Sequence, residues 1–273
     1  MAPKALLVGI NKYSLPGCDL QGCVNDVTNM RDVLLKYFGF QAEQVRLVVD
    51  ERATREAILE RLEWLVKDAG PADRLLFHFS GHGSQVRDRD GDELRDHMDE
   101  VICPHDMNWE GKYISDDDLK GIFARLPQGA VLEVILDCCH SGTGTREMAA
   151  LSLLPMEMAM YPRFLEPPAD IQARVDEELP VRRLLRGANP MGHVLFAGCR
   201  ENQTSADAFI GGAFNGAFTY YLCKHLRDTG GDIPRGELLR RVRASLKFNG
   251  FSQVPQLEGP KSSRTKRMLE PFQ

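Results

Sequence analysis

Two short stretches of the chain place reactive side chains directly after apolar runs. The first, residues 131–136, is almost wholly apolar and leads into Asp-Cys-Cys-His-Ser-Gly at 137–142. Such a run predicts a strand that is buried on both faces of a parallel sheet. Ligands of open α/β sheets bind at the carboxyl ends of strands. Because side chains alternate along a strand, Asp137 and Cys139 should point one way and Cys138 the other. Cys139 is therefore the candidate nucleophile.

The second stretch supplies a histidine in the same setting. Residues 74–80 form another strand-like run, which is followed by His82 between two glycines. The glycines leave the imidazole accessible and allow backbone N–H groups to approach a substrate closely. A histidine activates a cysteine by taking its proton or by sharing its charge. We therefore predict a catalytic Cys139–His82 dyad, with the backbone N–H groups of Gly83 and Cys139 as oxyanion donors.

Strand-like and helix-like segments alternate through the first part of the chain. Strands are predicted at 4–10, 45–49 and 74–80, with helices at 23–38 and 54–67. This alternation is typical of a parallel sheet with helices on its faces. Later elements are a hairpin at 101–102 and 112–114, a helix that begins at 115–118, a strand at 193–198, and helices at 214–226 and 234–246. Residues 143–191 show no clear strand, and a connection of that length is either functional or disordered.

Taken as an ordered set, the motifs resemble those of the metacaspases, the caspase-like cysteine peptidases of C14 type. The resemblance runs from Leu6 to about Leu257. A caspase proper would show Gln-Ala-Cys-Arg-Gly at the nucleophile, which this chain does not. The segments that carry it lie at 22–26, 79–83, 99–104, 114–119, 137–142 and 255–259. The resemblance implies the caspase/hemoglobinase fold, a three-layer α/β sandwich with a mainly parallel sheet flanked by helices on both faces.

The same resemblance implies one peptidase domain over residues 1–273. Residues 1–142 would be the large-subunit-like part with the dyad, and 192–273 the small-subunit-like part. The connection at 143–191 resembles the region where such peptidases are cut during activation. The cleavage sites that it offers, if the pocket takes arginine, are Arg163, Arg174, Arg182, Arg183 and Arg186. The sequence leaves open whether the segment is only an excursion over the surface.

Acidic residues near the nucleophile indicate the specificity. An acid beside the scissile bond selects a basic P1 side chain through charge-assisted pairing. Asp137 would by itself be explained as a residue that orders the loop, and Asp26 as a helix cap. The resemblance matches Asp137 to an acid of the S1 pocket and Cys23, Asp26 and Ser80 to the other pocket positions. It therefore implies cleavage after Arg or Lys. Asp207 is a further candidate acid for substrate binding.

A second acidic stretch, at 88–99, raises the question of a metal. Its glycine falls at the fourth position instead of the sixth, so it is not an EF-hand. A solvated charged loop is the usual explanation of such a run. The resemblance, however, implies calcium ligands at Asp99, Asp116 and Asp117, and clustered oxygen ligands suit calcium. Where the family pattern has a further acid, this chain carries Arg146. No organic cofactor is expected.

Composition narrows the classes of partner. A net charge of −5 without a Lys/Arg run argues against a nucleic-acid surface. The apolar start at 5–10 is too short for a signal peptide or a membrane span. Seven cysteines, an odd number with one adjacent pair, do not indicate a disulfide framework. These features predict a cytoplasmic protein that binds neither membrane nor nucleic acid. The resemblance implies protein or peptide substrates with a basic P1 residue, and we expect a monomer, with a partner chain left open.

The predicted function is a cysteine endopeptidase that is activated by calcium and by self-processing. Its family resemblance implies a role in stress, cell-death or defence signalling. A cysteine phosphatase would have five residues between its Cys and Arg, whereas six separate Cys139 from Arg146. A zinc site of His82, Cys138, Cys139 and His140 would use adjacent ligands that suit tetrahedral coordination poorly. The alternative that stays open is a catalytically silent caspase-fold scaffold or regulator, whose long connection holds the pocket shut.

Overall fold

The computed structural model describes residues 3–87, 98–139, 152, 155, 158–172, 193–200 and 202–271. The strands in these ranges are β1 (Lys4–Gly9), β2 (Val45–Val49), β3 (Arg74–Ser80), β4 (Gly83–Arg87), β5 (Met98–Ile102), β6 (Ile114–Ser115), β7 (Val131–Asp137), β8 (Met160–Pro162), β9 (His193–Ala197), β10 (Ala206–Ile210), β11 (Ala213–Gly216) and β12 (Gln256–Glu258). The helices are α1 (Cys23–Tyr37), α2 (Arg55–Val66), α3 (Asp116–Phe123), α4 (Ala169–Gln172), α5 (Ala217–Asp228) and α6 (Arg235–Phe248).

The centre of the molecule is a six-stranded sheet in the order β12-β9-β7-β3-β1-β2. All neighbours in it pair in parallel except β12, which runs antiparallel to β9 at one edge. Every residue of β7 is buried, as expected for an inner strand of a sheet covered on both faces. The mainly parallel sheet predicted from the alternation of segments is confirmed.

Alternation along the strands divides the core into two layers. In β1, Leu6 and Val8 belong to an apolar cluster that includes the buried faces of α2 and α3. Ala5 and Leu7 belong to the opposite cluster, which includes the buried faces of α1, α5 and α6. The two clusters lie on opposite faces because successive strand side chains point to opposite sides of a sheet. The result is the three-layer α/β sandwich that the family resemblance implies.

Two helix starts follow from local hydrogen bonding. Thr54 Oγ1 accepts a hydrogen bond from the backbone N–H of Ala57 and so caps α2. At α3, Ser115 Oγ accepts from the backbone N–H of Asp118, while the Asp118 carboxylate accepts from the backbone N–H of Ser115. This is a capping box, and the predicted start of α3 is confirmed.

Several short elements were not predicted. No strand was predicted at 83–87, where β4 lies, and 143–191 was expected to show no clear strand, yet this range contains β8. The helix expected from 214 begins at 217, because 213–216 form β11. The second hairpin strand is β6 instead of 112–114, and β10 and β12 were also missed. These strands are short or polar, and they belong to small three-stranded sheets or to a sheet edge, so they lack a continuous apolar run.

The sheet register brings three strand ends to one edge. Gly9 pairs with Ser80, and Ser80 pairs with Asp137, so β1, β3 and β7 end side by side. His82 and Cys139 each follow two residues later. Among the helices that the structure describes, none combines the length and the hydropathy required to span a bilayer.

Candidate active site

His82 is held by contacts around its ring and backbone. Its ring packs against Tyr13 with 4.9 Å between ring centroids, and its backbone N–H donates to the Tyr13 hydroxyl at 2.8 Å. Its Nε2 lies 2.8 Å from the carbonyl oxygen of Cys18. Because a carbonyl only accepts, Nε2 carries the proton and Nδ1 presents its lone pair. Within the described part of the chain, Nδ1 is buried without a hydrogen-bond partner. Burial lowers the pKa of His82 to about 4, so the imidazole is neutral at pH 7.

Cys139 is fully buried beside Ser205. The backbone N–H of Ser205 donates to Cys139 Sγ at 2.6 Å, and the thiol lies 3.6 Å from the carbonyl oxygen of Ser205. Phe164 and Cys199 form a small apolar cluster with Cys139. Cys138 lies instead in the core on the side of α2 and α3, as the strand alternation predicts.

The two predicted oxyanion donors converge on one oxygen. The backbone N–H groups of Gly83 and Cys139 donate to the carbonyl oxygen of Arg163, at 3.0 and 3.1 Å. The backbone N–H of Arg163 donates in turn to the carbonyl oxygen of Ser205 at 3.1 Å. A peptide carbonyl held between two amide donors next to a thiol has the arrangement that acyl transfer requires.

The side chain of Arg163 fills the predicted S1 pocket. It is fully buried, and its Nη2 lies 2.7 Å from an oxygen of Asp26 and 3.4 Å from one of Asp207. Its Nη1 lies 3.3 Å from Asp137 Oδ2 and donates to Ser80 Oγ at 2.7 Å. Three fully buried carboxylates thus surround one guanidinium.

Neighbouring donors orient the carboxylates. Asp137 Oδ1 accepts from Ser205 Oγ at 2.6 Å, and its Oδ2 accepts from Thr219 Oγ1 at 2.7 Å. Asp26 accepts from Ser80 Oγ at 2.7 Å and from the backbone N–H of Gly216 at 2.9 Å. Burial raises the pKa of Asp26 to about 7, even though the guanidinium opposes the shift.

The chain matches known proteins over most of its length. A family model described as metacaspase, peptidase C14 domain, matches residues 3–146. The chain is 32% identical to Metacaspase-1 of Schizosaccharomyces pombe and 35% identical to Metacaspase-1 of Meyerozyma guilliermondii, with 93% of this chain covered in both cases. It spans 66% and 68% of the length of these relatives. The chain belongs to the metacaspase family.

Solved structures support the fold of this metacaspase. A Geobacter sulfurreducens protein is similar with a TM-score of 0.72 and 22% identity over 100% of both chains. Caspase-1 from Spodoptera frugiperda is similar with a TM-score of 0.59 and 14% identity, covering 94% of this chain and 86% of that one. At these identities the likeness concerns the fold, and it confirms a caspase-like α/β architecture.

Cys23 is the remaining residue assigned to the predicted S1 pocket, and Gly216 lies beside two of the groups described above. Cys23 begins α1 and is fully buried, and burial raises the pKa of its thiol well above the ordinary value. The thiol of Cys23 is therefore neutral at pH 7. A Cβ at Gly216 would overlap Asp137 and the Arg163 guanidinium, so only glycine leaves room for the bound cation there.

Some contributors gave no signal in the sequence. Ser205 and Thr219 donate to Asp137 and Gly216 donates to Asp26, yet these three residues lie about 70 or more residues after Asp137 and form no motif with it. Tyr13, which packs against His82, lies in a loop rich in Gly, Pro and Asn. In the sequence, only Asp207, the further candidate acid for substrate binding, pointed to the part of the chain around Ser205.

The predicted calcium ligands come together at the start of α3. One oxygen from each of Asp99, Asp116 and Asp117 lies within 4.8 Å of the others. The Lys120 ammonium lies 2.6 Å from an oxygen of Asp116 and 3.0 Å from one of Asp117. Asp99 and Asp117 line an open cavity of about 600 Å³. Three clustered carboxylates suit a cation that prefers oxygen ligands, such as calcium, in place of the Lys120 ammonium. His140, Arg146 and the acids at 88–97 lie outside the described residues.

Proposed function

We propose that this metacaspase is a cysteine endopeptidase that cleaves after Arg or Lys. The observation that carries the proposal is the placement of Arg163. Its carbonyl oxygen lies between two amide donors next to Cys139, while its side chain lies among buried carboxylates. The site therefore provides for both the reacting carbonyl and the cationic side chain of one residue.

In the proposed mechanism each member of the dyad has its own role. Cys139 Sγ attacks the P1 carbonyl carbon, and the amides of Gly83 and Cys139 stabilise the oxyanion that forms. His82 is held with its proton on Nε2 by the Cys18 carbonyl, so Nδ1 is the atom that takes the thiol proton and gives it to the leaving amine. Water then hydrolyses the thioester.

Charge in the pocket supports selectivity for a basic P1 residue. Asp26, Asp137 and Asp207 are fully buried, where an uncompensated charge is costly, so a cation is favoured and an acidic side chain is repelled. The contacts to Arg163 come from Nη1 and Nη2, while its Nε has no hydrogen-bond partner in the described part of the chain. A lysine at P1 would therefore lose only part of the paired hydrogen bonds that Nη1 and Nη2 make. It would lose nothing at Nε, because arginine makes no hydrogen bond there.

Hydrolysis of fluorogenic peptides with P1 Arg, Lys or Asp tests this proposal. We expect turnover of the Arg and Lys peptides by the wild type, no turnover by Cys139→Ala, and retained turnover by the neighbouring thiol variant Cys138→Ala. Cleavage after Asp, or activity that survives Cys139→Ala, would contradict the proposal. Absence of turnover on every peptide would favour the silent scaffold.

We also propose a calcium site at Asp99, Asp116 and Asp117. A bound Ca²⁺ would supply the positive charge that the clustered carboxylates need. It would join β5, which pairs with the Gly83 strand β4, to the start of α3. We expect added calcium to raise the melting temperature of the wild type and not that of Asp117→Asn, with a lower half-saturating concentration in Lys120→Met. An equal response of wild type and Asp117→Asn would exclude this site.

We also propose that the chain processes itself and forms a single peptidase domain over 1–273. We further propose that it is a cytoplasmic monomer that acts in stress, cell-death or defence signalling. Family membership supports the processing and the biological role, and the composition supports the location. Light scattering of the purified chain tests the oligomeric state. Comparison of protein N-termini in cells with and without Cys139→Ala tests which substrates are cut, and new N-termini that do not follow Arg or Lys would contradict the proposed specificity.

A further inference from the structure

Residues 163–165 continue past the two oxyanion amides into a groove beside the start of β4, called here the prime-side groove and lined by Gly83, Ser84 and Cys199. We propose that this groove binds P1′ and P2′, the two substrate residues after the scissile bond, and selects large apolar side chains at both. An incoming peptide takes the place of residues 163–165 there. The inference rests on the proposed function and adds to it the class of sequence that follows the basic P1 residue.

One residue of β4, Gly83, holds the backbone on both sides of Phe164. The Gly83 N–H donates to the carbonyl oxygen of Arg163 at 3.0 Å, and the Gly83 carbonyl oxygen accepts from the N–H of Leu165 at 2.9 Å. Gly83 and Phe164 thus form a parallel β-bridge, while β4 pairs with β5 on its other edge. A peptide that adds to a sheet edge gains affinity from such main-chain bonds, and pockets beside the edge select its side chains.

Ser84 binds the next peptide group. It is fully buried, and its Oγ donates to the carbonyl oxygen of Leu165 at 2.6 Å. Gly83 also supplies one of the oxyanion amides, so a P2′ residue bound to Gly83 and Ser84 aligns the scissile carbonyl with the same strand. Binding energy from groups remote from the reacting bond can be used in this way to favour the transition state. We therefore expect the P2′ residue to affect kcat/KM.

The side chains of Phe164 and Leu165 lie in apolar surroundings. Phe164 forms a small cluster with Cys139 and Cys199, and Leu165 belongs to the apolar core on the side of α2 and α3. A hydrogen bond with Cys139 and burial raise the pKa of the Cys199 thiol well above its ordinary value, so this wall of the groove is uncharged at pH 7. A charged side chain in such surroundings would lose its hydration without a partner, whereas an apolar side chain gains from burial.

Burial along the chain marks the two ends of the groove. Residues 163–165 are buried, whereas 161–162 are half-buried and Glu166 is exposed. Side-chain selectivity should therefore be strong at P1, P1′ and P2′ and weak at P2 and P3′. The substrate class that follows is a basic residue, then two large apolar residues.

Internally quenched peptides test the proposal, with mass spectrometry to locate the cut. All of them carry Arg at P1, and they continue with Phe-Leu, Ala-Leu, Phe-Ala or Asp-Leu. We expect kcat/KM for the Phe-Leu peptide to exceed that for each of the other three by about tenfold or more, because each loses a buried apolar side chain. N-methylation of the P2′ leucine removes the N–H that Gly83 accepts, and it should lower kcat/KM by about fivefold.

Ser84→Ala tests the residue assigned to P2′. A short amide of Arg with aminomethylcoumarin has no P2′ residue, so its hydrolysis reports on folding and on the dyad. The ratio of kcat/KM for the Phe-Leu peptide to kcat/KM for the short amide should fall by about tenfold in Ser84→Ala. It should not change in Ser252→Ala, which alters an exposed serine. A structural role of Ser84 would lower both rates alike and leave the ratio unchanged.

The outcomes separate this inference from the proposed function. Hydrolysis of the short Arg amide together with equal kcat/KM across the quenched peptides, or with a preference for Asp at P1′, would overturn the prime-side groove and leave the proposed function standing. An unchanged ratio in Ser84→Ala would overturn the assignment of Ser84. Absence of turnover on every substrate would overturn both the groove and the proposed function.

Discussion

Two fully buried arginines pair with carboxylates in this metacaspase, and their surroundings differ. Arg235, the first residue of α6, donates from Nε and Nη2 to the two oxygens of Glu133 at 2.8 Å each. It also donates to the carbonyl oxygens of Ser263 and Glu270. This cluster matches one cation to one anion and joins the C-terminal region to the central strand β7. Around Arg163, three carboxylates meet one cation.

The difference distinguishes a structural ion pair from the proposed substrate pocket. A buried pair with balanced charge and filled hydrogen bonds has no reason to exchange its partner. The Arg163 cluster keeps its acids in place through Ser80, Ser205, Thr219 and backbone amides, so the pocket is organised without the arginine. A pocket that binds and releases the basic P1 side chain of a substrate requires such an excess of negative charge on acids that stay in place.

The largest expected effect is on stability. In a Cys139→Ala background, Arg235→Ala should lower the free energy of unfolding by about 3–5 kcal/mol, because it leaves Glu133 buried without its cation. Arg163→Ala should cost clearly less, because Asp26 and Asp137 keep their other hydrogen-bond donors. Urea unfolding measures both, with the exposed Arg240→Ala on α6 as an unchanged control. Equal losses of unfolding free energy in Arg163→Ala and Arg235→Ala would contradict this distinction between the two clusters.

The next effect is on catalysis. Asp137→Asn should lower kcat/KM for P1 Arg peptides by about 30-fold or more, the cost of about 2 kcal/mol expected when one partner of a buried charge pair is lost. Glu133→Gln should lower stability and leave kcat/KM within about twofold at a temperature where it is folded. Steady-state kinetics on the peptide panel measure this. A similar loss in both variants would mean that the acids act through the fold.

A smaller effect is the dependence on pH. Asp26 has a pKa raised to about 7, so its charge and the affinity for a P1 cation are lost as the pH falls through 7. We expect kcat/KM for Arg peptides to rise by about tenfold from pH 6 to pH 8, and Asp26→Asn to flatten this limb. For stability the sign is opposite: the contribution of a raised carboxyl pKa is present below about pH 4 and lost as the pH rises through 7. If kcat/KM of Asp26→Asn still rises between pH 6 and pH 8 as in the wild type, the pH dependence belongs to another group.

The smallest effect comes from exchanging arginine for lysine. Self-processing after residue 163, one of the candidate cleavage sites, should be slower in Arg163→Lys by less than about tenfold, because an ammonium still meets the acids. Arg235→Lys should lose the paired bonds to Glu133 and about 1–2 kcal/mol of unfolding free energy. Mass spectrometry and urea unfolding measure the two. A complete stop of cutting in Arg163→Lys, with the protein folded, would restrict the pocket to arginine.

Much of the site was accessible from the sequence because it lies where strands end. The apolar runs before His82 and Cys139 predicted inner strands, and parallel pairing then places their carboxyl ends at one edge. The register confirms this, with Ser80 opposite Asp137. The positions of Gly83 and Cys139 followed because glycine and a strand end leave backbone N–H groups accessible.

The rest depended on contacts that no local pattern encodes. Ser205 and Thr219 reach Asp137 only through the folded arrangement of β10 and α5. β8 has three residues and no alternation, so its placement comes from pairing with β10 and from the acids that receive Arg163. A basic residue that is to be bound by three distant acids looks, in sequence, like any surface arginine.

Covalent labelling of the thiol tests the central claim most directly. Arg163→Ala, which should leave the proposed S1 pocket free, would be treated with peptide chloromethyl ketones that carry Arg or Asp at P1, and the modified residue located by mass spectrometry. The account predicts one label, from the arginyl reagent, on Cys139, with the rate strongly reduced in Asp137→Asn. Faster labelling by the aspartyl reagent, or a label on Cys138 or Cys199 in place of Cys139, would contradict it.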